Sequence, residues 1–411
     1  MLSLDKWKRK KIGWSGRVMV QSWSEKRFRI LVAIVMAAGF TQGLLIPLLS
    51  TLLEQQGVSS SINGLNTAAL YLGILLFAPI SGWLVPRWGY RKVIVTGIVM
   101  TTVAFFLFPL TTSMMAWVFL RFMVGSGDSM LHYATGLWIT STCPSGIRGR
   151  RISQYGLSYG LGFGLGPLGM NLLSFGQWVP FVVMGVLLAV VLALTMMLEA
   201  GAPPTEKKEH RERAQLGEIY RLGLVALCPA ILYGFLEACL SGSFPVYGLR
   251  EGLSTAWISA LLSAFVWGSL LFQIPLGILS DRFGRKQVLM TVCTLGAVGM
   301  SLVPFFMGRP TMLLVLFALT GGLIGSLFSL GLAFLSDILP ASRLPQANAI
   351  ATAHFSVGSM VGPYIGGTLI QYWGGGSMFY FLAFTLLGFV LLALFYRPSD
   401  KTGTPVTSKV A

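Results

Sequence analysis

The sequence predicts an all-α membrane protein, with twelve transmembrane helices in two six-helix pseudo-repeat bundles. Three observations predict it. Of 411 residues, 54% are hydrophobic and only 11% charged, with a mean hydropathy of +0.73; a soluble domain carries about 25% charge. The apolar residues gather in twelve runs of about 20, the length that crosses a bilayer as a helix. The two halves of the chain also repeat one another at an offset of 195–196 positions.

Residues 1–27 form a basic tail with Trp7, Trp14 and Trp23 among its Lys and Arg. It lacks an apolar core of signal-peptide length. It reads either as a solvated tail or as a segment lying on anionic lipid. Six runs follow, roughly 28–53, 61–85, 93–112, 115–140, 153–176 and 178–198, giving a first bundle over 28–198. A charged linker, 199–219, contains EKKEHRER. The second bundle, 220–397, holds the runs 220–247, 255–280, 287–307, 310–336, 347–372 and 377–396, and a short tail, 398–411, ends the chain. The links between runs are short, so neighbouring helices are antiparallel. None of the runs shows the alternation of a membrane β-barrel.

A net charge of +16 and a pI near 10.0 would suit a nucleic-acid partner. The distribution of the charge argues otherwise. Of 30 Lys and Arg, 27 fall on the tails and the even-numbered loops, one face of the predicted topology; Arg250 and Arg309 lie opposite, and Arg121 lies within a run. That asymmetry places both termini on the cytoplasmic face of the cell membrane and accounts for the basic pI without nucleic acid. Cys143, Cys228, Cys239 and Cys293 have no metal-binding spacing and read as small apolar residues. No phosphate-binding loop and no hydrolase or metalloprotease motif occurs, so no cofactor, metal or catalytic residue is expected. The reading is a secondary carrier, not an enzyme.

The repeat places Gly39-Phe40 against Gly234-Phe235, Gln42 against Glu237, Pro109 against Pro304, and Gly166-Pro167 against Gly362-Pro363. Two six-helix halves in parallel repeat are a transporter architecture, with the substrate site at the midplane between them. GWLVPRWGYRK (82–92) and GILSDRFGRK (277–286) resemble the G-x-x-x-D-R-x-G-R-R/K loop signature of the major facilitator superfamily. RFMVGSGDS (121–129) resembles that family's R-x-x-x-G-x-G motif. GSMVGPYIGG (358–367) resembles its G-x-x-x-G-P-x-x-G-G pattern, of which GFGLGPLGMN (162–171) is a degraded copy. Among its members the chain is most similar to the twelve-helix drug:proton antiporters, and by that likeness a monomer is expected. Pro86 stands where the first loop signature has its Asp, which survives only as Asp281.

The resemblance implies conformational gating by Gly82, Arg87, Gly89 and Arg91 and by Gly277, Asp281, Arg282, Gly284 and Arg285. It gives the same role to Gly162, Gly166 and Pro167 and to Gly358, Gly362, Pro363, Gly366 and Gly367. Arg282 and Asp281 are expected to cap and tether helix ends.

Charge inside a bilayer is costly and marks function. Arg121, Asp128 and Glu237 are the charged residues deep within the runs, away from their ends. Arg121, Asp128 and His132 recur at two turns and one turn along helix 4, an ordered stripe in which Arg121 is expected beside Asp128. Family likeness puts these three, Glu237 and Gln42 around a central cavity. Glu237, Asp128, Arg121 and His132 are the proton-coupling candidates. Gln42, Glu237, Tyr71, Tyr233 and Trp267 are the substrate-binding candidates. His354 reads as structural. The expected function is alternating-access, proton-coupled efflux of hydrophobic or amphipathic compounds, in the manner of a multidrug carrier. The alternatives are a carrier of one metabolite, a flippase of a lipid-linked molecule and a membrane sensor without transport. The expected partners are a small-molecule substrate, protons and the lipid bilayer.

Overall fold

A computed structural model describes residues 24–201 and 216–396. The rest of the basic tail, most of the EKKEHRER linker and the final tail lie outside the described residues. Backbone groups in lipid have no water to bond, so each apolar run closes its hydrogen bonds within a helix. The twelve runs are α1 (Glu25–Gln55), α2 (Ser60–Trp88), α3 (Tyr90–Leu107), α4 (Met114–Thr142), α5 (Arg148–Leu165), α6 (Val179–Met196), α7 (Leu216–Arg250), α8 (Thr255–Phe283), α9 (Arg285–Leu302), α10, α11 (Leu344–Trp373) and α12 (Ser377–Phe395). α7 begins four residues before the predicted run. α10 is two segments, Pro310–Ile324 and Leu327–Ile338, parted at Gly325-Ser326. Among the described residues nine helices are long and apolar enough to cross a membrane by length and composition; α4, α5 and α11 are more polar.

Each half is knit by the same pairs of helices: α1 on α5, α2 on α4, α3 on α4 and α6 in the first, and α7 on α11, α8 on α10, α9 on α12 in the second. The halves meet along α2–α11, α5–α8 and α1–α7. The repeat extends to the joints. Gly89 and Gly284 end α2 and α8 with φ of +79° and +90°, a region that costs a side chain strain. Just past each glycine a basic residue reaches the last helix of its own half: Arg91 Nη1 donates to Leu198 O (2.9 Å) and Lys286 Nζ to Tyr396 O (2.9 Å).

The contacts between halves are graded along the helices. At the end remote from the chain termini, here the far end, Ser60, Asn63, Gly64 and Thr67 of α2 and Ile258, Ser259 and Leu262 of α8 are buried. Ser60 N donates to Gln371 Oε1 (3.0 Å) and Asn171 Nδ2 to Ser259 Oγ (3.3 Å), and Glu54 pairs with Arg250. At the terminal end Ile80 and Trp83 of α2 and Leu271, Ile274 and Ile278 of α8 are exposed. The molecule is shut at the far end and parted at the end that carries its termini.

Candidate functional site

α1, α4 and α5 bring together a polar cluster in the middle of the first half. α1 approaches α5 closely because Gly39 and Gly43 lie against the Tyr159 and Phe163 backbone, where a Cβ would collide with carbonyl oxygens. That approach lets Gln42 reach both neighbours. Its Nε2 donates to Asp128 Oδ2, and its Oε1 accepts from Tyr159 OH at 2.7 Å. Asp128 Oδ1 lies 3.6 Å from His132 Nε2, one turn along α4, and His132 Nδ1 lies 3.0 Å from Tyr155 OH. Thr135 Oγ1 adds a contact to Tyr155 OH at 3.3 Å. The result is a polar chain of two hydrogen-bonded segments, Tyr159–Gln42–Asp128 and His132–Tyr155, which meet at the 3.6 Å contact between Asp128 and His132. Asp128 is 6% exposed, whereas the His132 side chain is 27% exposed, so the chain runs from a buried carboxyl to a more open imidazole.

Glu237 lies midway along α7 and is 9% exposed. It makes no hydrogen bond or ion pair among the described residues, although a buried carboxyl ordinarily has a partner. Tyr71 of α2, Tyr159 of α5 and Tyr233 of α7 are within electrostatic range of it, and Tyr71 and Tyr159 are also within range of Asp128. The two carboxyls therefore lie within electrostatic range of the same two tyrosines, Asp128 bonded to Gln42 and Glu237 without a partner among the described residues.

Two expectations are corrected. Arg121 does not sit beside Asp128. Seven residues advance a helix by about 10.5 Å, so the fully buried guanidinium turns to α2 and α1 instead, donating to Thr67 Oγ1 and to Ile46 O (3.4 Å). Of the two residues expected to tether helix ends, Asp281 pairs with Arg285 across the Gly284 break between α8 and α9, and Arg282 makes no such pair among the described residues. Arg285 Nε also reaches Asp337 at 3.0 Å, tying α9 to α8 and α10. Arg282 is exposed. In the first half Arg87 turns back on its own helix, over the Trp83 ring at 3.7 Å and onto Trp83 O at 3.0 Å. Pro86 leaves no carboxylate there.

Trp267 is half-buried on α8, facing Gly164 of α5 across the two halves. The glycines for which gating is expected divide into two kinds. Gly162 faces Met36 O, Gly166 faces the Gly43 backbone, Gly358 faces Ile231 O, Gly362 faces Phe235 O and Gly366 faces Cys239 and Ser243, all within one half. Gly367 instead faces Ser60 across the halves. Pro167 and Pro363 are buried, but only Gly166-Pro167 ends the α-helix, which tightens to a 3₁₀ helix over Gly166–Phe175. Gly82 lies near Tyr133 OH, and Gly277 faces open space.

The sequence reading missed Tyr159 and Thr67. Their roles depend on how α5 and α2 approach neighbours; the available signal was Tyr155, Tyr159 and Phe163 at four-residue spacing, facing the glycines of α1. Trp138 is core: it is fully buried, stacked on Tyr90 (5.2 Å) and under Arg27 (5.4 Å).

The sequence model of the Major Facilitator Superfamily matches residues 31–262 and 226–410. An MFS-type transporter of Bacillus subtilis (strain 168), YfkF, described as uncharacterized, is 37% identical over 380 residues, covering 92% of this chain and 97% of its own. Two solved structures share the fold. The nucleoside transporter NupG has a TM-score of 0.72 at 13% identity, over 89% of this chain and 98% of its own. The D-xylose-proton symporter has a TM-score of 0.72 at 16% identity, over 93% and 100%.

Proposed function

Because the chain belongs to the major facilitator superfamily, whose members are multi-pass membrane transporters of small molecules and not enzymes, we propose that it is a proton-coupled exporter of hydrophobic or amphipathic compounds, cationic or neutral. In this reading both termini face the cytoplasm, and the structure is the cytoplasm-open state. The observation that carries the reading is Glu237: a carboxyl buried among tyrosines with no hydrogen-bond or ion-pair partner among the described residues. Such a group is neutralised either by a proton or by a bound cation, and that alternative is an exchange reaction. Tyrosine faces favour organic cations and apolar rings over strongly hydrated solutes. The Tyr159–Gln42–Asp128–His132–Tyr155 cluster supplies a second titrating carboxyl, 3.6 Å from a more exposed imidazole. Arg121 holds α1, α2 and α4 together two turns away along α4.

The test uses purified protein in liposomes, an imposed pH gradient and a fluorescent lipophilic cation. Gradient-driven flux should fall by about tenfold or more in Glu237→Gln and in Asp128→Asn, a coupling loss of ordinary size. Glu237→Gln should also weaken binding of the cation, and Asp128→Asn should leave it nearly intact. Flux that ignores the gradient in the unaltered protein overturns the proton mechanism. Gradient-driven uptake of a polar metabolite in place of the dye would make the polar cluster around Gln42 the substrate site.

A further inference from the structure

Glu54 and Arg250 belong to neither the signature motifs nor the polar cluster. Glu54 lies in the last turn of α1, and Arg250 ends α7. Arg250 Nε and Nη2 donate to the two carboxylate oxygens at 2.7 and 3.1 Å, a two-point fork. The Glu54 side chain is 15% exposed and that of Arg250 38%. Among the described residues the other ion pairs each join groups of one half; this one joins the two halves.

The placement of the pair is informative. Glu54 and Arg250 are 196 positions apart, one position out of register with the offset of 195 that carries Gln42 of α1 onto Glu237 of α7. They stand at the corresponding ends of these two paired helices, one in each half. Like charges there would repel in the closed state. The chain instead has opposite charges, in fork geometry, at the end where the halves touch. The neighbouring contacts, Ser60 to Gln371 and Asn171 to Ser259, are single hydrogen bonds between neutral groups. Opening the far end must pull α1 from α7 and separate the pair.

We propose that Glu54 and Arg250 form a positioning clasp between the corresponding ends of α1 and α7 that sets the ratio of the two access states of the carrier. The clasp acts on the conformational equilibrium and requires neither a particular substrate nor a proton. It therefore stands or falls separately from the exporter reading.

The experiment measures distances between spin labels at the far ends of α4 and α10, on the exposed positions Met115→Cys and Met312→Cys. The full-length protein is used in nanodiscs, with its four native cysteines replaced by alanine. The parent should show mainly the short, far-end-closed distance. Glu54→Gln and Arg250→Gln should each raise the long-to-short ratio about fivefold, the scale of a half-exposed ion pair. Arg250→Lys keeps the charge without the fork and should shift the ratio less. Glu54→Arg combined with Arg250→Glu should return it toward the parent value, a coupling that a general loss of packing would not produce. Ratios unchanged in both glutamine variants overturn the proposal. So does a reversed pair shifted as far as the single variants together.

Discussion

At the residue scale, the two membrane carboxyls have different surroundings, and that difference assigns their work. Asp128 is held by Gln42 and His132, whereas Glu237 is held by nothing among the described residues. A change on the Asp128 side should alter coupling before it alters binding. Tyr159→Phe removes the donor to Gln42 Oε1 and leaves that amide oxygen short of a bond, a cost of about 1 kcal/mol. The expected outcome is a displaced pH profile of transport with substrate affinity kept within about threefold, read by flux at a series of internal pH values. Arg121 is a structural cation by its contacts. Thr67→Val should lower stability by about 1–3 kcal/mol because a buried donor loses its acceptor, measured by thermal unfolding in detergent. Asp128 and Glu237 were legible in the sequence because a charge in an apolar run stands out. Tyr159, Thr67 and the true partner of Arg121 were not, since each depends on where a neighbouring helix passes.

At the scale of the element, the glycines separate packing from motion. Gly162 of α5 lies against Met36 O of α1, so Gly162→Val should keep α1 and α5 apart. The expected result is loss of a monodisperse folded species on gel filtration. Gly277 of α8 faces open space at the parted end. Gly277→Leu should preserve the unfolding midpoint yet cut transport about tenfold or more, if that face meets α2 or α11 when the terminal end closes. Equal losses of stability and transport would make Gly277 a packing residue like Gly162. The twelve helices were legible because hydrophobic length alone specifies a span. The break of α10 at Gly325-Ser326, the 3₁₀ segment after Gly166 and the choice of Arg285 over Arg282 were not, because side-chain direction and local backbone geometry leave little trace in hydropathy.

At the scale of the whole molecule, the graded seam between halves gives the direction of opening. Ser259→Cys, buried at the far end, should resist a membrane-impermeant maleimide applied from the side opposite the termini. It should become reactive, by about tenfold or more in rate, in any variant that shifts the carrier toward its far-end-open state. Labelling at the full rate in the parent would mean that the seam is open on both sides. The existence of two halves was legible from the internal repeat. Which end was shut was not, because one sequence must support both access states.

The paired ties Arg91 to Leu198 and Lys286 to Tyr396 have a consequence for assembly. Each fastens the third helix of a half to that half's own last helix, so each half finishes its circuit without borrowing a strut from the other. Cutting the chain between α6 and α7 would leave both circuits closed. Two separately translated fragments, 1–201 and 202–411, are expected to meet in the bilayer and restore transport, whereas a cut between α3 and α6 would leave one circuit open and restore little.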